Sequence, residues 1–304
     1  MTLRFGTRGS RLAVAQSNQV ADVLRARGLE VELVTIRTSG DRLADVALAD
    51  FGGKALFVKE IEEAILDGRV DAGVHSLKDM PAFLPEGLCL AAFPPREDPR
   101  DVLLTRTGGG LHDLPRGARV ATSSLRRRAL LLARRPDLSI EPIRGNVDTR
   151  LKKLEDGFYD AMVMARAGLD RLGLKPEHAQ VLSAHELLPA VGQGTLGVEV
   201  RAADKHLLEA FQALDDPAAR AEALAERAFL RRLGADCHTP VAGLARHAGA
   251  TVEMDGLVSS LDGRTVIRGK TGGPASQAEM VGEKLADELL ARGARALLDE
   301  GDGR

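Results

Sequence analysis

The sequence predicts an α/β protein built from more than one domain, and two observations lead to this prediction. The chain has 304 residues, of which 44% are hydrophobic, so it is long enough for roughly two or three separate cores. Short apolar strands also alternate with amphipathic helices along most of its length, as in sheets that are covered by helices.

The first part of the chain shows this alternation clearly. A strand over residues 3–6 turns at residues 7–10 into a helix, and a second strand over 30–37 follows. Residues 38–54 are rich in Gly, Asp and Ala without a clear period, which is typical of a mobile lid or a disordered insertion. A helix over 56–66 is predicted next.

The middle of the chain contains a linker and a turn. A Pro-rich, charged segment over residues 94–99 is typical of a linker, and a second α/β unit extends from it to about residue 188. Gly192, Gly194 and Gly197 match the pattern G-x-G-x-x-G, but a dinucleotide site requires this pattern to open a helix. Gly197 leads into alternating Val-Glu-Val, so we interpret the segment as a hinge turn that re-enters a sheet.

The C-terminal part predicts a small α+β unit. Helices are predicted over residues 202–214 and 218–233, where apolar residues recur at helical spacing. Strands over 241–271 and a helix over 276–292 follow, and the final residues are expected to fray.

Composition argues against several classes of protein. The formal net charge is −2 and aromatic residues make up only 3% of the chain, so nucleic-acid binding is not expected. The sequence has no apolar signal core and no run long enough to span a bilayer, which predicts a cytoplasmic protein. Cys89 and Cys237 are far apart and lack C-x-x-C spacing, so neither a disulfide framework nor a zinc site is indicated; Cys89 is interpreted as an apolar residue of a buried strand.

An arginine-rich middle segment predicts a site for a large anion. Residues 120–129 and 143–150 each predict the end of a strand, followed by a turn of small polar residues and the start of a helix. Hydroxyl, backbone N–H and guanidinium groups therefore converge at two helix N-termini, and residues 7–10 form a third junction of this type. The alternative, that these arginines form a solvated helix face, stays open at this point.

Two further residues are candidates for chemistry. Asp79 follows a buried strand over residues 71–75, just past its carboxyl end, where open α/β sheets usually bind ligands. A carboxylate there could stabilise a cation, although Asp is also common in turns and helix caps. Cys237 lies beside His238 in a loop bounded by Gly and Pro, so its thiol is either accessible and reactive or incidental. No nucleophile elbow surrounds Ser76, which argues against a serine hydrolase.

A set of motifs covers nearly the whole chain. The motifs are Thr-Arg-Gly-Ser at 7–10, Gly-Gly-Lys-Ala-Leu-Phe at 52–57, His-Ser-Leu-Lys-Asp at 75–79, Arg-Glu-Asp-Pro-Arg-Asp at 96–101, Thr-Ser-Ser-Leu-Arg-Arg at 122–127, Arg-Gly-Asn-Val-Asp-Thr-Arg at 144–150, Leu-Pro-Ala-Val-Gly-Gln-Gly at 188–194 and the loop around Cys237. In type and in order they closely resemble the porphobilinogen deaminase family, whose members are also called hydroxymethylbilane synthases.

This resemblance implies the fold in more detail. Two α/β domains similar to type II periplasmic binding proteins would be hinged around a cleft, and a small C-terminal α+β domain would follow. The implied limits are residues 1–95 with 195–214, residues 99–190, and residues 216–304. The resemblance also implies a monomeric transferase of tetrapyrrole and heme biosynthesis that acts on the small molecule porphobilinogen, with no nucleic-acid, membrane or metal partner.

The implied cofactor is a dipyrromethane, held by a thioether bond at Cys237. The enzyme would join four porphobilinogen molecules head to tail onto it, with loss of ammonia, and then release the linear hydroxymethylbilane by hydrolysis. Because each unit carries an acetate and a propionate, the growing chain needs many guanidinium partners. The alternatives are a non-catalytic bilobal binding protein for a small polycarboxylate, which gives Cys237 no role, and an RNA-binding protein, which would need a larger basic surface.

The resemblance also implies roles by position. Asp79 would be the catalytic carboxylate, stabilising the cation left when ammonia departs. The implied cofactor-binding residues are Cys237, Lys78, Asp79, Thr122, Ser123, Ser124, Arg126, Arg127, Arg144 and Gly145. The implied substrate-binding residues are Arg8, Ser10, Lys54, Arg144, Arg150, Arg171 and Gln193, with residues 38–54 as a loop over the cleft. Asp236 and Ala55 replace frequent glycines of the family, so we expect a thiolate at Cys237 that forms less readily and a stiffer lid.

Overall fold

The computed structural model describes residues 2–38, 58–236 and 239–301. Lys54, Ala55 and Cys237 lie outside the described residues, as does most of the predicted lid over 38–54. The strands, β1 to β13, are Thr2–Thr7, Glu30–Thr35, Ala72–Ser76, Leu88–Ala92, Asp101–Thr105, Arg119–Ala121, Ser139–Glu141, Ala161–Ala165, Ala179–Val181, Leu196–Arg201, Val241–Ala248, Thr251–Ser259 and Val266–Pro274. The α-helices, α1 to α9, are Arg11–Arg25, Lys59–Leu66, Leu125–Arg134, Val147–Glu155, Arg166–Arg171, Lys205–Phe211, Pro217–Leu233, Ala278–Ala291 and Ala294–Gly301.

Two five-stranded sheets share one topology. The first has the strand order β2-β1-β3-β10-β4, and the second has the order β7-β6-β8-β5-β9. In each sheet the first three strands of this order are parallel, and the fourth is antiparallel to both of its neighbours. The chain therefore crosses between the sheets twice, over residues 93–100 and again over residues 192–195. The predicted pair of α/β units is confirmed.

The two crossing segments lie against each other. The Glu97 N–H donates a hydrogen bond of 3.2 Å to the Gly194 carbonyl. Gly194 has a φ of +88°, and a Cβ atom there would lie 2.5 Å from the Glu97 carbonyl oxygen, so only glycine fits. β10 follows at once and pairs with β3, Leu196 opposite Ser76. The interpretation of this glycine-rich segment as a turn that re-enters a sheet is confirmed.

The third sheet forms the small C-terminal α+β unit. Its order is β11-β12-β13, all antiparallel, and α7 and α8 pack against it around the fully buried Phe229 and Leu285. α7 begins after Asp216, whose side chain accepts from the Ala219 N–H, and ends at Gly234 in the left-handed conformation. None of the described helices is long and apolar enough to cross a bilayer.

Some boundaries differ from those predicted. The helix predicted over 202–214 begins only at Lys205, because Asp204 caps it by accepting from the Leu207 N–H, and it closes with a 3-10 turn at Gln212–Leu214. The expected fraying of the final residues is wrong for α9, which buries Leu297 and Leu298 in the hydrophobic core of the C-terminal unit, together with Phe229 and Leu285. Cys89 lies in β4 as predicted, but it is only half-buried.

Three ionisable side chains are buried together in the first α/β unit. His75 of β3 has its Nε2 atom 3.1 Å from Oε2 of Glu199 on β10, and Glu62 of α2 is buried beside the sheet. Burial and, to a smaller extent, the charge of Glu199 raise the pKa of Glu62 to about 7, although His75 lowers it. The Glu62 carboxyl group therefore binds a proton in the folded protein at pH values where the unfolded chain has lost it.

Glu62→Gln is expected to remove a pH-dependent loss of stability. The pKa of Glu62 is higher in the folded protein than in the unfolded chain. The stability that its protonated carboxyl group contributes is therefore fully present below about pH 4.5 and is lost as the pH rises through about 7. Glutamine cannot ionise, so at pH 8 the free energy of unfolding of the variant should exceed that of the wild type by up to about 3 kcal/mol. Urea unfolding at pH 5 and pH 8 measures this difference. The exposed neighbour Glu63→Gln is the control, and equal pH dependence in both variants would contradict the assignment.

Candidate active site

Asp79 lies at the carboxyl end of β3, as its sequence position predicts. β3 ends at Ser76, and a 3-10 turn over Leu77–Asp79 follows. The turn is anchored because Leu77 is buried and its N–H donates to the Thr195 carbonyl over 3.0 Å. Asp79 is exposed and Lys78 is half-buried. A fixed backbone thus presents a carboxylate and an ammonium group side by side at the edge where ligands bind.

The arginine-rich junction begins at the N-terminus of α3. Ser124 caps this helix by accepting from the Arg127 N–H, and the Thr122 hydroxyl accepts from the Ser124 N–H. Ser123 donates to the Ile143 carbonyl over 2.7 Å and accepts from the Ile143 N–H over 3.0 Å. This reciprocal pair joins the first junction to the second, so the two predicted helix N-termini are held together.

Arg126 and Arg127 are buried, whereas Arg128 is exposed. Arg126 Nη1 donates to Oδ2 of Asp101 over 2.8 Å, and Arg127 Nη2 donates to Oδ1 over 2.7 Å. Arg126 also donates to the Leu188 carbonyl, over 2.7 Å. The interpretation of these arginines as a solvated helix face is therefore wrong for Arg126 and Arg127 and correct for Arg128.

The second junction opens α4. Asn146 caps the helix by accepting from the Thr149 N–H over 2.9 Å, and Gly145 has a φ of +105°. Arg150 Nε donates to the Gly145 carbonyl over 2.8 Å, and Arg144 is half-buried. Burial lowers the pKa of Arg150, the charge of Arg127 lowers it further, and Asp79 raises it. Arg150 is thus close enough to Arg127 and Asp79 for their charges to act on it.

The third junction, at residues 7–10, follows β1, which is parallel to β3, so Arg8 and Ser10 lie at the same edge of the first sheet as Asp79. Ser10 caps α1 by accepting from the Ala13 N–H over 3.3 Å, and Arg8 is half-buried. Next to this junction, Arg11 Nη1 forms an exposed ion pair of 2.7 Å with Asp148 Oδ1 on α4. This pair connects the two α/β units across the cleft, and nothing in the sequence pattern indicated it.

Arg171 and Gln193 were both predicted to bind substrate. Gln193 lies in the second crossing segment, and Arg171, at the end of α5, contacts that segment. Arg171 Nη2 donates to the Gly194 carbonyl over 2.8 Å. The Gln193 amide donates to the Pro99 carbonyl over 2.7 Å and to Asp101 Oδ1 over 2.9 Å, and it accepts from Lys78 Nζ over 3.3 Å. Both side chains therefore hold the connection between the sheets, and Gln193 is itself buried.

Comparison with known proteins identifies the family. A family model described as "Porphobilinogen deaminase, dipyromethane cofactor binding domain" matches residues 3–209, and a second, "Porphobilinogen deaminase, C-terminal domain", matches residues 220–291. The chain belongs to the porphobilinogen deaminase family. Porphobilinogen deaminase of Syntrophotalea carbinolica is 52% identical over 298 residues, which cover 97% of this chain and 95% of the relative. That of Syntrophobacter fumaroxidans is 47% identical over 300 residues, covering 98% and 97%.

Two solved structures align with about 70% of this chain. The methionine binding protein MetQ aligns with a TM-score of 0.45 and 17% identity, covering 70% of this chain and 89% of its own. A substrate binding protein of an amino acid ABC transporter aligns with a TM-score of 0.40 and 13% identity, covering 70% and 92%.

The described residues suit the dipyrromethane for which the first porphobilinogen deaminase model is named. Each of its two rings carries an acetate and a propionate, so it requires several donors and positive charges. The cleft supplies guanidinium groups, the Lys78 ammonium group and hydroxyl groups at helix N-termini. Within the described residues, Nε of Arg126 is also buried without a hydrogen-bond partner. The donor set therefore matches a polycarboxylate.

Cys237 and Lys54 lie outside the described residues, so their predicted roles stay predictions. Asp236 is described: its N–H donates to the Thr239 hydroxyl over 3.2 Å, and that hydroxyl donates to the Asp236 carbonyl over 2.7 Å. These bonds fix the backbone just before Cys237. The effect of the Asp236 carboxylate on thiolate formation at Cys237 stays a prediction.

Two charged residues at this site were missed by sequence reasoning. Asp101 begins β5 and pairs with Arg126 and Arg127, whereas the motif that contains it reads as part of a charged linker. Arg96 lies in that linker, yet its side chain is only 8% exposed because it pairs with Glu226 of α7 at 2.7 Å. The mixture of Arg and Asp at residues 96–101 was the available signal, since a linker exposed to solvent has no need of alternating charges.

Lys78 is expected to impose a pH limit on substrate capture. Burial lowers the pKa of Lys78 to about 8, against the charge of Asp79, which raises it. The ammonium group is therefore present below about pH 8 and lost above it. If Lys78 binds carboxylates as predicted, kcat/KM should fall as the pH rises through this value. Lys78→Arg stays charged and should lack this fall. A fall of the same shape in Lys78→Arg would show that another group titrates.

Proposed function

We propose that this protein is a hydroxymethylbilane synthase, a transferase of tetrapyrrole biosynthesis. It joins four porphobilinogen molecules head to tail with loss of ammonia and releases the linear tetrapyrrole by hydrolysis. The observation that carries this proposal is that the charge of Asp79 acts on both Lys78 and Arg150, in a chain that belongs to the porphobilinogen deaminase family. Family membership does not favour the alternative of a non-catalytic binding protein.

The arginines act on the carboxylates of substrate and product. A planar guanidinium group can donate two parallel hydrogen bonds to a carboxylate, which orients it as well as attracting it. Arg8, Arg144 and Arg150 lie at the helix junctions that surround the cleft, where backbone N–H groups add to the positive field. Acetate and propionate groups are thus held on both sides while the reacting carbons meet.

Asp79 acts where positive charge develops. When ammonia leaves porphobilinogen, the remaining pyrrole becomes a cation, and a fixed carboxylate stabilises it without reorganising. Asp79 suits this role because the anchored Leu77–Asp79 turn holds it at the cleft edge. The dipyrromethane, when bound, supplies the covalent anchor and the pyrrole carbon that attacks the first porphobilinogen. We propose that Cys237 holds it by a thioether bond.

The domain organisation belongs to the same proposal. Domain 1 comprises residues 1–95 with 195–214, domain 2 residues 99–190, and domain 3 residues 216–304. The two crossing segments between the first and second sheets support a hinge between domains 1 and 2. We also propose a cytoplasmic monomer without a nucleic-acid partner, which the net charge of −2 and the few aromatic residues support.

Intact-mass measurement tests this function directly. Protein purified from cells that make porphobilinogen should be heavier than its sequence by one dipyrromethane, and it should convert porphobilinogen into hydroxymethylbilane and ammonia. Cys237→Ala should lose both the added mass and the turnover. The other cysteine provides the matched control, because Cys89→Ala should keep both. A wild-type mass equal to that of the bare chain, with binding of porphobilinogen but no turnover, would establish the binding protein instead.

A further inference from the structure

Asp101 is a fully buried carboxylate at the point where the chain enters the second sheet. It begins β5 directly after the first crossing segment, and its side chain is 0% exposed. Oδ2 accepts from Arg126, and Oδ1 accepts from Nη2 and Nε of Arg127, at 2.7 and 3.1 Å. The Asp101 carboxylate thus pairs with two buried guanidinium groups, which would repel each other without it.

These bonds determine where the guanidinium groups point. A guanidinium group is planar and rigid, so hydrogen bonds on one edge fix the direction of the others. Arg127 turns its Nε and Nη2 edge to Asp101, and its Nη1 atom donates to the Val163 carbonyl over 3.0 Å. Three apolar side chains in place of these charged ones would often satisfy the fold equally well, since a buried ion pair or triad is often no more stabilising than an apolar replacement.

The same carboxylate reaches the other side of the cleft through Gln193. Gln193 Nε2 donates to Asp101 Oδ1 over 2.9 Å, and the amide oxygen of Gln193 accepts from Lys78 Nζ over 3.3 Å. Lys78 precedes Asp79 in the anchored turn after β3. One continuous set of hydrogen bonds therefore runs from α3 of the second sheet to the Asp79 turn of the first sheet.

We infer that Asp101 is a positioning residue for this reaction: it touches no substrate, but it orients Arg126 and Arg127 and, through Gln193, holds Lys78 beside Asp79. The inference rests on the proposed function. Asp101 would thus align the side chains contributed by the two α/β units. Its loss should slow the reaction, because a displacement of about 1 Å at reacting groups can cost roughly 100-fold in rate.

Asp101→Asn tests the inference, with Asp71→Asn as the matched control. Asp71 is also a buried carboxylate bonded to an arginine, Arg4, at 2.9 Å, but it lies before the opposite end of β3. Each variant is prepared without cofactor and then supplied with porphobilinogen. The measurements are the fraction loaded by intact mass, the rise in melting temperature on loading, and kcat per loaded molecule.

For Asp101→Asn we expect slower loading, a smaller rise in melting temperature and a loss of about 10- to 100-fold in kcat per loaded molecule. Asp71→Asn should melt at a lower temperature in both forms, yet keep the wild-type rise on loading and the wild-type kcat per loaded molecule. A merely structural Asp101 would behave like Asp71, and that outcome overturns the inference. If the wild type itself neither loads nor turns over, the proposed function fails and this inference fails with it.

Asp101→Glu decides the question if Asp101→Asn does not give folded protein. It keeps the charge that the buried arginines require, but it moves the carboxylate by one methylene group. The expected result is a folded protein with reduced loading and reduced kcat per loaded molecule. Wild-type values of both quantities in Asp101→Glu would overturn the inference, because position, and not charge alone, is what it assigns to this residue.

Discussion

Asp79→Asn is expected to lower the turnover number by about 100-fold or more, which corresponds to about 3 kcal/mol of transition-state stabilisation. The substitution keeps the shape of the side chain and removes its charge. Asp79 is exposed and lies at the end of the Leu77–Asp79 turn, so the fold does not depend on it. Folding and cofactor attachment should therefore survive, and steady-state kinetics on protein of verified cofactor content measures the loss.

The exposed acid Glu86 provides the control for this experiment. It lies in the loop that leads from the Asp79 turn to β4, so Glu86→Gln removes one exposed carboxylate from the same α/β unit at the opposite edge of the sheet. A purely long-range effect of charge would lower turnover similarly in both variants. Near-normal turnover in Asp79→Asn would mean that the cation is stabilised by another group, and the assignment of Asp79 would then be wrong.

Glu226→Gln is expected to lower the free energy of unfolding by about 3–5 kcal/mol. Glu226 is fully buried in α7 and accepts hydrogen bonds from Arg96 at 2.7 Å, from the Ala245 N–H at 2.7 Å and from the Gly192 N–H at 2.5 Å. The amide group of glutamine cannot balance the buried Arg96 charge, and it brings a donor towards backbone donors. Chemical denaturation of the cofactor-free protein measures the difference.

A second Arg–Glu pair, between α7 and α8, provides the comparison. Arg231 and Glu279 form an ion pair of 2.7 Å at the surface, where Glu279 is 51% exposed. Glu279→Gln should cost no more than about 1 kcal/mol, because solvent screens the pair. If both variants lost the same small amount, the buried pair would not be what joins the third sheet to the crossing segments.

Glu226 also affects the cleft through Arg96. Arg96 donates from Nε and Nη2 to the Gln193 carbonyl, at 3.0 and 2.9 Å, while the Gln193 side chain contacts Asp101 and Lys78. Loss of the Glu226 charge should therefore disturb the site as well as the fold. Reduced cofactor loading of Glu226→Gln at temperatures where it is folded would show this connection.

Features that depend on neighbours in the chain could be predicted from the sequence. Ser10, Ser124 and Asn146 each cap a helix by bonding to the N–H three residues ahead, so local polar residues were enough to locate the three helix junctions. The same holds for Asp79, because the end of an apolar strand is visible in the residue pattern. Helix boundaries were less certain, as at Asp204, since alternative caps compete within a few residues.

Which charges are buried was decided only by the tertiary structure. Arg126, Arg127 and Arg128 are consecutive and chemically identical, yet only the first two face inward, because Asp101 meets them from 25 and 26 residues away. Gln193 reaches Asp101 across 92 residues, and Glu226 reaches Arg96 across 130. The sequence by itself determined the α/β class, the helix junctions and the family, since these follow from local pattern and motif. The pairing of buried charges needed the fold, because burial and Coulomb attraction depend on distance in space and not on distance along the chain.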